Sequence, residues 1–209
     1  LSGTLNNNEV DKLWLTLDTK LSRDGGSDGS YNIDVQIRDK SGNEFTKTYP
    51  IIYDTKPPTA ALSIPEDEAV ITETTDQIAV KIEDTMSGVD LSASSVELVG
   101  PDGNVIEANK SDNGVDTLIY TFAPLRENGE DDGTYQVNLV AQDRAGNRTQ
   151  NDFRFFYIAW AKTISTTPAD GDYVNQLDRV SFTTSRLVDL NSFEISLLSP
   201  DGSKVPGTI

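Results

Sequence analysis

The sequence predicts an all-β chain made of small β-sandwiches in tandem. Three observations lead there: an internal duplication with a spacing of about 100 residues, short alternating apolar runs bounded by Gly, Pro, Asn and Asp, and no segment with three turns of helical periodicity. The duplication is clearest where Asp28-Gly29-Ser30-Tyr31 through Asp39-Lys40-Ser41-Gly42-Asn43 recurs as Asp132-Gly133-Thr134-Tyr135 through Asp143-Arg144-Ala145-Gly146-Asn147. The offset is 104 residues without a gap (28 to 132, 43 to 147).

Taken in order, residues 1–53 read as the later half of one repeat. Val10–Leu17 resembles Val115–Phe122, and the duplicated strand and turn follow. Residues 54–160 read as one complete repeat. Within it Ile78, Val80 and Ile82 face one side of a strand, with Lys81 and Glu83 on the other. Val96 and Leu98 begin the next strand, and Pro101-Asp102-Gly103-Asn104 turns it back. Leu118, Tyr120 and Phe122 alternate on another. Tyr135, Val137, Leu139 and Ala141 mark the best-defined inner face, and Phe153–Ile158 closes the sheet. Residues 161–209 read as the early half of a third repeat, because Phe193–Gly202 echoes Ser95–Gly103. Pro57 and Pro58 mark a short, stiff linker at the first boundary, since paired prolines favour extended geometry and donate no ladder hydrogen bonds. Trp160 marks the second boundary, either packed between neighbours or covering the end of its own sandwich.

Composition narrows the function. Seventeen basic against 34 acidic residues give a formal charge of −17, which repels nucleic acid and anionic lipid. The chain has no cysteine, hence neither disulfides nor thiol chemistry. It has no histidine either, which removes the commonest general base and the usual transition-metal ligand and leaves hard oxygen donors. No apolar run reaches membrane-spanning length, so no membrane insertion is expected within this segment.

The run Asp131-Asp132-Gly133-Thr134-Tyr135-Gln136-Val137 resembles the Asp-x-Gly-x-Tyr-x-Cys signature of immunoglobulin folds, with Val137 at the cysteine position. Ala141-Gln142-Asp143-Arg144-Ala145-Gly146-Asn147 is similar to the closing turn of tandem bacterial immunoglobulin-like (Big-type) domains of cell-surface, adhesin-like proteins. Tyr53-Asp54-Thr55-Lys56-Pro57-Pro58 is similar to their linkers. The second boundary departs from that pattern with Ile158-Ala159-Trp160-Ala161. The resemblance implies tandem immunoglobulin-like β-sandwiches, with Tyr31 and Tyr135 as corner tyrosines whose hydroxyls bond nearby backbone.

Candidate sites are few. In the turns Asp39 to Asn43 and Asp143 to Asn147, Asp accepts from turn amides while Gly42 and Gly146 take positive φ, which explains both as structure. Calcium is the competing reading, with Asp39, Asp54 and Asp143 as carboxylate ligands near an interdomain joint. The loop Asp84–Asp90 reads as an Asx-type turn, and the acidic loop Glu127–Asp132 as a solvated charge run that could hold a loose cation. Neither has a catalytic partner at recognisable spacing, so no enzyme is expected. The sequence therefore predicts a stalk, spacer or fibre segment of a secreted or surface-attached bacterial protein. Its expected partners are neighbouring immunoglobulin-like repeats or other copies joined head to tail. The alternative is an accessory, carbohydrate-binding module of an extracellular polysaccharide-acting enzyme, which would need exposed aromatics on one sheet.

Overall fold

A computed structural model describes residues 2–7, 12–189, 191 and 194–206. Among them the chain is all-β, with no helix. The first strands are β1 (Gly3–Asn7), β2 (Leu13–Leu17), β3 (Gly29–Arg38) and β4 (Glu44–Tyr53). A central group follows: β5 (Thr59–Ile64), β6 (Val70–Ile71), β7 (Gln77–Glu83), β8 (Ser95–Val99), β9 (Asn109–Asp112), β10 (Thr117–Thr121), β11 (Gly133–Gln142) and β12 (Arg148–Tyr157). The last are β13 (Thr163–Thr167), β14 (Ser181–Thr184), β15 (Leu197–Leu198) and β16 (Lys204–Val205).

The central strands form two four-stranded sheets, β5-β7-β10-β9 and β6-β12-β11-β8. All pairings are antiparallel except β6 with β12. Alternation explains the packing between the two sheets. Ile78, Val80 and Ile82 project from β7 and meet Tyr135, Val137 and Leu139 from β11, and all six are buried. Tyr135 stacks on Phe155 at a centroid distance of 4.9 Å. The buried cluster lies wholly between Leu62 and Ala159.

The flanking strands form separate two-stranded sheets: β1-β2, β3-β4, β13-β14 and β15-β16. Their geometry recurs in the central sandwich. The β3–β4 register, Gly29↔Tyr53 to Arg38↔Glu44, matches that of β11–β12, Gly133↔Tyr157 to Gln142↔Arg148. The Tyr31 hydroxyl donates to Ser27 O (2.6 Å), as the Tyr135 hydroxyl does to Asp131 O (2.8 Å). Toward the other end, Ser199 N bonds Ser203 O as Gly100 N bonds Asn104 O, both at 2.9 Å. What differs is burial. Ile33 is 48% exposed and Ile51 43%, whereas their central counterparts Val137 and Phe155 are at 0%.

Candidate metal centre at the first joint

Antiparallel topology gathers three acids at one end of the central sandwich. β5 starts beside the end of β7, since Thr59 pairs with Glu83, so the linker residue Asp54 lies close to Asp84, which immediately follows β7. The β11–β12 turn reaches the same end. Val89 bridges Asp143, and Arg144 N donates to Gly88 O at 2.8 Å. One carboxylate oxygen from each of Asp54, Asp84 and Asp143 lies within 4.8 Å of the others.

Backbone amides hold these carboxylates in place. Asp54 accepts from Lys56 N (3.0 Å) and Ser87 N (3.1 Å). Asp84 accepts from Gly88 N (2.6 Å) and Met86 N (3.1 Å) through Oδ1. Asp143 accepts from Asn147 N and from the Asn147 side-chain amide, both at 2.8 Å. That amide also donates to the backbone carbonyl of Asp54 (3.0 Å), tying the turn to the linker. Burial pushes the Asp54 carboxyl up, but hydrogen bonds from Ser87 and Lys56 outweigh it and hold the group below the ordinary carboxylate value.

Asp54 and Asp143 are buried, Asp143 completely, and Asp84 is half-buried. No ion pair reaches any of the three among the described residues. Like charges this close repel, and a buried carboxylate without a counter-charge is costly. A hard divalent cation satisfies both demands: calcium takes six to eight oxygens from carboxylates, carbonyls and water. The residues present fit it, with three closely spaced carboxylates.

The structure therefore brings Asp54 and Asp143 together and adds Asp84, which the sequence alone presents as part of an Asx-type turn. Asp84 is indeed such a turn, yet the topology aims it at the linker. Asp39 does not join them. It lies past the Arg38↔Glu44 end of the β3–β4 hairpin, while Asp54 follows the Gly29↔Tyr53 end, about 30 Å away at the usual strand rise. Its carboxylate closes its own turn through Asn43 N (2.8 Å) and the Asn43 side chain (2.7 Å), and those bonds hold its carboxyl below the usual range. Gly42 and Gly146 take φ of 92° and 90°, as their turns require. Pro58 is buried and Pro57 exposed in the linker.

The second joint is built differently. The loop Glu127–Asp132 is not merely solvated: Asp132 pairs with Arg186 (2.9 Å), and Glu127 with Lys162 (3.0 Å). Trp160 is 63% exposed, so it neither fills an interface nor covers its sandwich. Apart from Trp160 at its end, none of the exposed large apolar side chains of the central repeat is aromatic.

CopC from Methylosinus trichosporium OB3b is similar at a TM-score of 0.39 and 14% identity, over 48% of this chain and 95% of that one. PcoC, a methionine-rich copper resistance protein from Escherichia coli, gives 0.37 and 13%, over 49% and 95%. The Lin-41 filamin domain gives 0.26 and 20%, over 43% and 82%. These likenesses concern the fold alone. No curated protein matched the sequence. The family model of the bacterial Ig-like domain (group 3) matches residues 19–161, more than half of the chain, taking in the β3–β4 hairpin as well as the central sandwich. The chain belongs to the bacterial Ig-like domain (group 3) family.

Proposed function

We propose that this chain is a structural segment, a stalk or spacer, of a secreted or surface-attached bacterial protein, adhesin-like in kind. In this reading calcium bound by Asp54, Asp84 and Asp143 stiffens its first joint. The observation that carries the reading is the position of the triad: one carboxylate comes from the linker and two from the sandwich that follows it. An ion held by all three converts a flexible connection into a fixed angle, because bending would pull Asp54 out of the coordination shell. Millimolar calcium outside the cell suits the affinity range of extracellular calcium modules. No helix among the described residues is long and apolar enough to cross a membrane.

The recurring hairpin and turn geometry fits a tandem array in which each sandwich adds a rigid length. The net charge of −17 keeps such an array soluble and extended. Catalysis forms no part of this reading, and ligand specificity would lie elsewhere in the parent protein.

Thermal unfolding and small-angle X-ray scattering in calcium and in chelator test it. Calcium should raise the melting temperature and narrow the distribution of shapes. The variant Asp54→Asn with Asp143→Asn should respond to neither condition. Indifference of the unsubstituted chain to both calcium and chelator would refute the calcium joint.

A further inference from the structure

The second joint lies where the linker after β12 meets β13 and β14, and it can be compared with the first position by position. Thr55 N donates to Asp28 Oδ1 (3.1 Å), and Ala159 N donates to Asp132 Oδ1 (2.9 Å), which makes Ile158 the counterpart of Asp54. At the other side of the joint, Ser185 N donates to Lys162 O (2.8 Å) and Thr163 pairs with Thr184. This is the ladder of Thr59↔Glu83 and Ala60↔Ile82, so Lys162 stands for Thr59 and Arg186 for Asp84. The loops before the corner tyrosines also superimpose. Asp28 N bonds Gly25 O as Asp132 N bonds Gly129 O, with φ of 87° and 86° at the two glycines, and Glu127 stands for Arg23.

Four substitutions thus separate the two joints. Two of the triad carboxylates give way, Asp54 to Ile158 and Asp84 to Arg186. Thr59 gives way to Lys162, and Arg23 to Glu127. Three of the changes remove an acid or add a base, and the fourth, Arg23 to Glu127, gives Lys162 an anionic partner, so ion pairs made within the chain stand where the first joint has an anionic cluster. Arg186 Nη1 pairs with Asp132 Oδ2 and also donates to Ala159 O. Lys162 Nζ bridges Glu73 (2.6 Å) and Glu127 (3.0 Å). At the first joint the oxygen equivalent to that Asp132 acceptor, Asp28 Oδ2, is buried without a hydrogen-bond partner.

We infer that Arg186 is the built-in cation of the second joint, a positioning residue that, with Lys162, does there what a bound ion does at the first. The second joint therefore stays fixed without divalent ions, and the segment bends at one joint only when calcium is withdrawn. Exposed single ion pairs fix little, but Arg186 and Asp132 are mostly buried side chains, 29% and 21% exposed, and a second group, Lys162 with Glu73 and Glu127, ties the same joint. The contrast with the first joint rests on the calcium reading given above. The role of Arg186 does not.

The chain has no native cysteine, so paired spin labels can be placed cleanly. Gln36→Cys with Ser111→Cys spans the first joint, and Ser111→Cys with Thr183→Cys spans the second. Across the second joint, one narrow distance population is expected in calcium and in chelator alike. Arg186→Ala should abolish that single population in both buffers, and Arg186→Lys should retain it. Asp132→Asn keeps the acceptor for the Ala159 amide but removes the charge, and should act like Arg186→Ala. A narrow population that survives both Arg186→Ala and Asp132→Asn, or one lost on chelation alone, would overturn the inference. If the first joint ignores chelator while the second responds to Arg186→Ala, the calcium reading fails and the role of Arg186 stands.

Discussion

The side-chain amide of Asn147 donates to the backbone carbonyl of Asp54, 3.0 Å away across 93 residues of sequence. The same nitrogen donates to the Asp143 carboxylate at 2.8 Å. One planar amide thus fixes the spacing of two members of the acidic triad, and it does so with or without an ion. Asn147→Ala should leave the sandwich folded but cost about 1 kcal/mol, the usual worth of a hydrogen bond in a partly buried place. Calcium affinity should fall with it, because the ligands would no longer be held in advance. Isothermal titration with calcium, beside urea unfolding in chelator, separates the two effects. Unchanged affinity would mean that Asn147 serves the turn alone.

Asp143→Asn probes the charge rather than the geometry. Asn keeps an oxygen to accept from Asn147 while removing one of three closely spaced negative charges. In chelator this variant should melt higher than the unsubstituted chain, since repulsion and the burial of an unpaired charge are both relieved. In calcium the order should reverse. At a hundredfold excess over its dissociation constant, calcium stabilises the unsubstituted chain by about 2.7 kcal/mol, and the variant forfeits most of that. A variant that melts lower in both buffers would show Asp143 to be a turn residue only.

Much of this architecture was legible in the sequence, and the limits of legibility have physical causes. Tyr135, Val137 and Leu139 could be assigned to the core because strand alternation is local and their face is continuous. The Asp143–Asn147 turn could be read because its residue types state their own geometry. The triad could not be read in full, because its members lie in three loops whose proximity depends on strand direction. Counting strands would have helped: a strand paired antiparallel to the one after the linker must end at the linker, which is where Asp84 sits. Asp39 was misplaced because fifteen residues of separation from Asp54 look short, yet those residues form one long hairpin that sends its two ends apart. The acidic loop Glu127–Asp132 hid its role because its partners, Lys162 and Arg186, lie 30 or more residues away.

The corner tyrosine of the central sandwich carries a stability and a pH prediction together. Its hydroxyl donates to Asp131 O at 2.8 Å, and the side chain is buried against Phe155. Tyr135→Phe should cost about 1 kcal/mol or more, since the hydroxyl partner of Asp131 O is lost. Burial also pushes the Tyr135 hydroxyl up to about 12. An unfolded tyrosine titrates near 10. The folded state therefore binds a proton that the unfolded state releases over this interval. Its contribution is fully present below about pH 10 and is lost as pH rises toward 12. Urea midpoints measured from pH 8 to 11.5 should fall less steeply for Tyr135→Phe than for the unsubstituted chain. Parallel curves would remove Tyr135 from the alkaline transition.

The outer sheets make a prediction about association. On β3 and β4, Ile33, Ile37, Phe45, Tyr49 and Ile51 share one face and are each 41% to 50% exposed. In the central sandwich the equivalent face is covered by the facing sheet through Ile78, Val80 and Ile82 of β7, and its edge is extended by β8, which pairs with β11 through Val137↔Leu98 and Leu139↔Val96. The hairpin β15–β16 repeats the β8 turn, with Leu197 at the place of Leu98, and Leu197 is itself 44% exposed. Each half thus presents a strand edge beside an apolar face that the other would complete, and the register follows from Val137↔Leu98: Ile33 opposite Leu197. A face of this size beside unpaired strand edges drives association in water. The 209-residue chain should therefore associate in a concentration-dependent way, head to tail, through a contact that need not close on itself. Sedimentation velocity measures it, and Ile33→Asp should return the chain to monomers by placing a charge in the covered face. A disulfide between chains carrying Ile33→Cys and chains carrying Leu197→Cys checks the register. A strict monomer at high concentration, or association unaffected by Ile33→Asp, would assign the apolar face another role.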